Sequence, residues 1–143
     1  MKSCIGYCIA ALTTLFSVTV FAADLQVTSS WARASIPGAA NGAAYVSMNN
    51  QASKAKTITG ITSNVSDKTE LHEHVHEQGM MKMIHVPELE IAPGESLTMK
   101  PGGYHIMLFN LQQPLTSGEQ ITLTFKFSDG NSQDVSIDVR KSQ

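Results

Sequence analysis

The chain of 143 residues is long enough for one ordinary domain and too short for two domains with separate cores. Ten basic and twelve acidic side chains give a net charge of −2 without a long run of either sign, which argues against nucleic acid and anionic membrane surfaces as partners. Both cysteines, Cys4 and Cys8, stand near the start. The remaining sequence therefore excludes a disulfide framework, thiolate metal ligation and a cysteine nucleophile.

The first 22 residues have the pattern of a secretory signal peptide. Lys2 precedes an uncharged, apolar or small stretch over residues 5–21, and Val20-Phe21-Ala22 resembles a signal peptidase site. We therefore expect residues 1–22 to be removed and residues 23–143 to form one exported domain, with a net charge of −3 and no stable membrane anchor. The alternative is a retained transmembrane anchor, because the apolar stretch is near the minimum spanning length.

From residue 25 onward, short runs rich in Val, Ile, Thr, Tyr and Phe are separated by Gly, Pro, Asn or Ser. The pattern predicts ten strands, in chain order 25–31, 43–49, 56–63, 69–76, 80–86, 89–91, 96–99, 104–110, 121–127 and 133–139. No run of ten or more residues keeps a helical stripe, although one short helical turn near 114–118 fits. We expect an all-β single domain, a sandwich or Greek-key barrel, with a hairpin at Asp129-Gly130.

Histidine and methionine are concentrated in one third of the chain. After residue 22 there are five histidines and six methionines, and all of them except Met48 lie between His72 and Met107. Methionines that served only the core would not be expected to gather with every histidine. This clustering predicts a metal site.

The first half of the predicted site is His105-Ile106-Met107. On a strand, residues two apart share a face, so His105 and Met107 point one way while Tyr104, Ile106 and Leu108 point inward. Alone, a His-x-Met pair is more often an ordinary strand segment.

The second half comes from a predicted hairpin. If Gln78-Gly79 is a two-residue turn, then His76 faces Met81 and His74 faces Met83. Any even-numbered turn keeps one shared face, whereas an odd one breaks it. The side chains on that face would be His72, His74, His76, Met81, Met83 and His85. His72 and Met83 are then diagonal neighbours within reach of each other.

The ligand types select the metal. Thioether sulfur is soft and neutral and imidazole is borderline, so the set suits Cu(I) and offers little to Mg²⁺, Ca²⁺ or Mn²⁺. Zinc is also disfavoured, because it takes thiolate, imidazole and carboxylate. Neutral ligands allow the ion to leave to a better acceptor, which is the behaviour expected of a carrier.

The spacing His72, ten residues, Met83, twenty-one residues, His105-x-Met107 resembles the motif of the periplasmic PCuAC family of copper chaperones. Further segments are similar to that family over nearly all of the chain after residue 22: Trp31-Ala32-Arg33, Ala43-Ala44-Tyr45, Glu70-Leu71-His72 and Pro101-Gly102-Gly103. The resemblance implies a cupredoxin-like barrel that binds one Cu(I) through His72, Met83, His105 and Met107. It also implies delivery of copper to the Cu(A) centre of cytochrome c oxidase, through subunit II or another copper chaperone.

The chain departs from the family pattern in two respects. It lacks the His- and Met-rich C-terminal tail that some members carry, and five further residues enrich its hairpin: His74, His76, Met80, Met81 and His85. These five would form either an access route for copper or a weak secondary site. A solvated strand face is the simpler interpretation of His74 and His76.

We expect a monomeric carrier without catalytic residues, and other functions stay open. Copper tolerance or storage would need the same ion held in the same way. A blue-copper or copper oxidase enzyme is disfavoured, because the blue-copper site needs a thiolate and two thioethers favour Cu(I). A hydrolase is not supported either, since no Gly-x-Ser-x-Gly occurs. A metal-free β-sandwich interaction domain would leave the clustering unexplained.

Overall fold

The computed structural model describes residues 24–141, so the predicted signal peptide lies outside the described residues. Ten strands follow one another: β1 Leu25–Arg33, β2 Gly42–Asn50, β3 Lys56–Ser63, β4 Ser66–Glu77, β5 Met80–His85, β6 Leu89–Ile91, β7 Ser96–Leu97, β8 Tyr104–Leu111, β9 Gln120–Phe127 and β10 Ser132–Arg140. All ten predicted strands are confirmed, with ends that differ by at most three residues.

The predicted helical turn near 114–118 is wrong. The segment forms a turn in which the Glu119 N–H donates to the Thr116 carbonyl at 3.1 Å, and the Glu119 side chain accepts the Thr116 N–H. These two bonds satisfy the backbone without a helix, and residues 24–141 contain none. That part of the chain accordingly has no helix long and apolar enough to cross a membrane.

The strands form one sheet in the order β5-β4-β8-β2-β1-β10-β9-β3-β6, with β7 paired to β2. Only β1 and β10 run parallel; the other paired strands are antiparallel. The predicted hairpin at Asp129-Gly130 is confirmed, since it joins the antiparallel pair β9 and β10. The all-β prediction is therefore confirmed within the described residues.

The core is built by strand alternation. In β10, Val135, Ile137 and Val139 are buried while the residues between them are exposed, as expected for a strand with one face on the core. On the other side of the molecule, Leu71 of β4 pairs with Ile106 of β8 and both are buried. Because alternate residues point to opposite faces, Glu70, His72 and His105 occupy the outward face there.

The β4–β5 hairpin turns at Gln78-Gly79. Both residues have positive φ, 51° and 78°, which is the signature of a two-residue type I′ turn. This turn confirms the predicted register, in which His72 pairs with His85 and His74 with Met83. Strand β5 is the edge of the sheet and all six of its residues are exposed.

Candidate metal centre

His72 lies where three strands meet. It pairs with His105 of β8 on one side and with His85 of β5 on the other. Its ring centroid is 6.0 Å from that of His105 and 5.7 Å from that of His85. The sheet therefore gathers three of the chain's five imidazoles in one row on its outer face.

His105 is the buried member of this row. It is only 3% exposed although it points to the outer face, because the ring of His74 stacks on it at a centroid distance of 4.7 Å. Its Nδ1 donates a hydrogen bond to the carbonyl oxygen of Gly103 at 2.9 Å, and the same oxygen accepts the backbone N–H of His74 at 3.3 Å. A carbonyl only accepts, so the Nδ1 of His105 carries the hydrogen and its Nε2 keeps the lone pair.

Burial lowers the pKa of His105 below its ordinary value of about 6.5. Charge on the neighbouring His74 and His72 lowers this pKa further, while the hydrogen bond to Gly103 works against the shift. The imidazole is therefore neutral at physiological pH, which is the form that binds a metal.

Met83 contacts His105 from the edge strand. Its strand, β5, is separated from β8 by β4, yet its Sδ reaches to 3.0 Å from Nε2 of His105. Neither atom carries a hydrogen in the neutral His105 tautomer, so two lone pairs face each other. Such an arrangement is satisfied by a cation that both atoms bind.

The other nitrogen of His72 completes the donor set. Its Nε2 lies 2.8 Å from Oε2 of Glu70, and because a carboxylate only accepts, Nε2 carries the hydrogen. Nδ1 then holds the lone pair, and it is buried without a hydrogen-bond partner. A carboxylate that fixes the tautomer of a histidine in this way is common behind metal-binding imidazoles. The residues thus fit a metal that takes Nδ1 of His72 and Nε2 of His105.

Glu70 is well suited to that role. Lys68 and His72 hydrogen-bond to its side chain and hold its pKa at about 2, well below the ordinary range. The carboxylate is therefore ionised at any physiological pH and remains an acceptor.

Met107, the fourth predicted ligand, lies one step further along β8 on the same face as His105. It pairs with Glu70 on one side and with Ala43 of β2 on the other, and it borders a cleft of about 230 Å³ that Arg33 and Ile36 also line. The structure thus brings His72, Met83 and His105 together directly and places Met107 beside them, toward β2.

Two side chains near the centre were not among the predicted site residues. Glu70 orients His72, and the signal for it was its position two residues before His72, on the same face. His74 stacks on His105 and has a buried Nδ1 without a partner. Its predicted place on the hairpin face was confirmed, but no sequence pattern indicated the stacking. Within residues 24–141, no three His, Cys, Asp or Glu side chains are arranged to hold a metal.

Comparison with solved structures supports the fold. The copper-bound PCuAC domain from PmoF2 superposes with a TM-score of 0.69 at 18% identity, over 86% of this chain and 97% of that domain. The solution structure of CuI-DR1885 from Deinococcus radiodurans gives a TM-score of 0.64 at 30% identity, over 82% of this chain and 77% of that protein. The cupredoxin-like fold expected from the resemblance is thereby confirmed.

Sequence comparison places the chain in a family. The model of the LpqE-like family matches residues 25–139. "Putative lipoprotein Lxx21020" of Leifsonia xyli subsp. xyli is 34% identical over 117 residues, which are 81% of this chain and 69% of that relative. "Uncharacterized protein RP573" of Rickettsia prowazekii is 30% identical over 113 residues, 76% of this chain and 62% of that relative. The chain belongs to the LpqE-like family and has the fold of the PCuAC domains.

Proposed function

We propose that the protein binds one Cu(I) through His72, Met83, His105 and Met107 and delivers it to another protein. The observation that carries the proposal is the 3.0 Å approach of the His105 lone-pair nitrogen to the Met83 sulfur. The buried, unpartnered Nδ1 of His72 lies in the same row and supplies a third donor.

The donor set favours a monovalent copper ion. Two thioethers and two neutral imidazoles are soft to borderline ligands, which suit Cu(I) better than oxygen-preferring cations. The 30% identical DR1885 has been solved as its CuI form, which supports the same ion here. Copper is then a cargo of a non-catalytic carrier.

Release is as important as binding in a carrier. Met83 is 48% exposed and belongs to the edge strand, so an accepting ligand can approach the ion from that side. His105 is buried and held by Gly103, so the inner half of the site stays formed when the ion leaves. An exposed sulfur beside a fixed imidazole thus permits exchange of ligands one at a time.

The place and the recipient follow from the resemblance to the PCuAC family and from the signal-like residues 1–22. We propose an exported, monomeric, periplasmic protein that supplies the Cu(A) centre on subunit II of cytochrome c oxidase, directly or through another copper chaperone. A relative named as a lipoprotein supports the export. A deletion strain assayed for oxidase activity at limiting copper tests the destination: normal activity together with copper sensitivity would instead indicate tolerance or storage.

Binding itself is tested by anaerobic titration of the purified protein with Cu(I) against a chromogenic Cu(I) chelator. The carrier predicts one tight equivalent, which Met83→Leu and Met107→Leu each weaken. Failure of the protein to compete with the chelator would contradict copper binding, and an intense visible charge-transfer band or turnover with oxygen would favour an enzyme.

A further inference from the structure

On the outer face of the β4–β5 hairpin, histidine and methionine side chains continue from the candidate centre toward the turn. His74 pairs with Met83, and in the next row on the same face His76 pairs with Met81. Directly opposed side chains have Cβ atoms about 4.5–5.5 Å apart, within reach of one shared ion. The hairpin thus repeats a His–Met pair in two successive rows.

Exposure is greater in these rows than at His105 of the candidate centre. His105 is 3% exposed, Met83 is 48% exposed and Met81 is 54% exposed, while His76 is exposed as well. A methionine on the exposed edge strand contributes little to the core, so packing does not account for Met81. The rows therefore lead from solvent to the buried imidazole.

The two faces of the hairpin have different chemistry. The opposite face carries Glu73, Glu77 and Lys82, and Lys82 forms a salt bridge with Glu77 at 2.5 Å. The outer face of the hairpin offers only imidazole nitrogen and thioether sulfur in these rows. Cations that require oxygen ligands are thus not attracted there, and a soft monovalent ion is.

We propose that His76 and Met81 form a capture site that takes Cu(I) from solution and passes it inward to the candidate centre through Met83. This inference rests on the proposed function of that centre. Rows on one face of a strand are about 7 Å apart, and the flexible methionine side chain can cover that gap.

The transfer is an exchange of neutral ligands. The bond from copper to the Met83 sulfur forms as the bond to the His76 nitrogen breaks, and Met81 leaves when nitrogen of His105 binds. Copper stays Cu(I) throughout, so the exchange needs no oxidant, reductant or proton. Met83 thus joins Met81 on the ion during transfer and remains a ligand in the inner centre.

The test uses the purified protein labelled with ¹³C at the methionine methyl groups and titrated anaerobically with Cu(I). The first equivalent is expected to shift the methyl signals of Met83 and Met107. Further Cu(I) is expected to shift the signal of Met81 and to leave that of Met80, which is equally exposed but lies on the opposite face, unchanged.

The matched variants are Met81→Leu and Met80→Leu, since leucine keeps the volume and removes the sulfur. Capture makes the second step intramolecular, so Met81→Leu is expected to slow loading of the inner centre by roughly tenfold in stopped-flow measurements. Affinity for the first equivalent should stay within about twofold, because the inner donors are untouched. Met80→Leu should load like the wild type.

The outcomes separate the two proposals. If the first equivalent leaves Met83 and Met107 unshifted, the proposed centre is wrong and the capture site falls with it. If the first equivalent shifts both signals, the proposed centre stands. The capture site alone is then overturned by either of two results: excess Cu(I) shifts the Met80 and Met81 signals equally, or Met81→Leu loads the inner centre at the wild-type rate.

Discussion

Nε2 of His105 and the sulfur of Met83 face each other across 3.0 Å, although their strands are separated by β4 and share no hydrogen bonds. Three features bring the two atoms together: the type I′ turn that sets the position of Met83, the pairing of β4 with β8, and the Gly103 carbonyl that orients the imidazole.

Met83→Leu is expected to weaken Cu(I) binding by more than about 100-fold. Loss of a residue that only hydrogen-bonds to a metal ligand typically costs roughly 10- to 100-fold in affinity, and this substitution removes a proposed ligand itself. Stability should change by less than about 1.5 kcal/mol, since the exchange conserves volume at a half-exposed position. Chelator competition measures the affinity and urea unfolding the stability. Met80→Leu is the control, and equal affinities of the two variants would rule out Met83 as a ligand.

Glu70→Ala is expected to lower Cu(I) affinity by about 10- to 100-fold, because His72 loses the acceptor that keeps the hydrogen on Nε2. Glu70→Gln should recover part of the loss, since its amide oxygen still accepts. Glu77→Gln, which removes an ion-paired carboxylate from the opposite face of the same strand, is the control. An unchanged affinity in Glu70→Ala would show that Glu70 does not orient His72.

The fold is expected to lose stability as the pH falls below about 6.5. The pKa of His105 is lower in the folded protein than in the unfolded chain, so the unfolded chain binds this proton at a higher pH. The stabilisation is complete above the unfolded pKa. It is lost as the pH falls toward the folded pKa, because protonation then favours the unfolded chain. Urea unfolding of the metal-free protein between pH 8 and pH 5 measures the slope. His105→Gln should flatten it, and the same slope in this variant would contradict the assignment.

Copper binding is expected to weaken over the same pH range, because protons compete for the imidazole lone pairs while thioethers do not titrate. The measurement is chelator competition at a series of pH values. An affinity that stays constant down to pH 4 would exclude both His72 and His105 as ligands.

Gly79→Ala is expected to destabilise the protein by roughly 1–2 kcal/mol, since Gly79 has a φ of +78° that a side chain disfavours. Because this turn sets the position of Met83, Cu(I) affinity should fall as well. Gly130→Ala imposes a similar strain at φ +82° in the β9–β10 hairpin, remote from the centre. It should cost similar stability and leave copper affinity unchanged; a loss of affinity in both variants would point to general destabilisation.

Local sequence determined much of this protein. Short runs rich in Val, Ile, Thr, Tyr and Phe, separated by Gly, Pro, Asn or Ser, predicted all ten strands, because such side chains favour strands and such breaks favour turns. Gln78-Gly79 predicted the register of His74 with Met83, because a two-residue turn leaves only one pairing of its flanking strands. The proposed ligands were chosen from the residue types and from the resemblance of their spacing to the PCuAC motif.

Only the tertiary structure decided how the two halves meet. His72 faces His105 because β4 pairs with β8. Three other strands lie between these two in the chain. Such long-range pairing depends on how the whole sheet covers its core. The same packing buries His105 beneath His74 and brings Gly103 and Glu70 to the two imidazoles. Which nitrogen of each ring keeps its lone pair depends on these hydrogen bonds, and therefore on the fold.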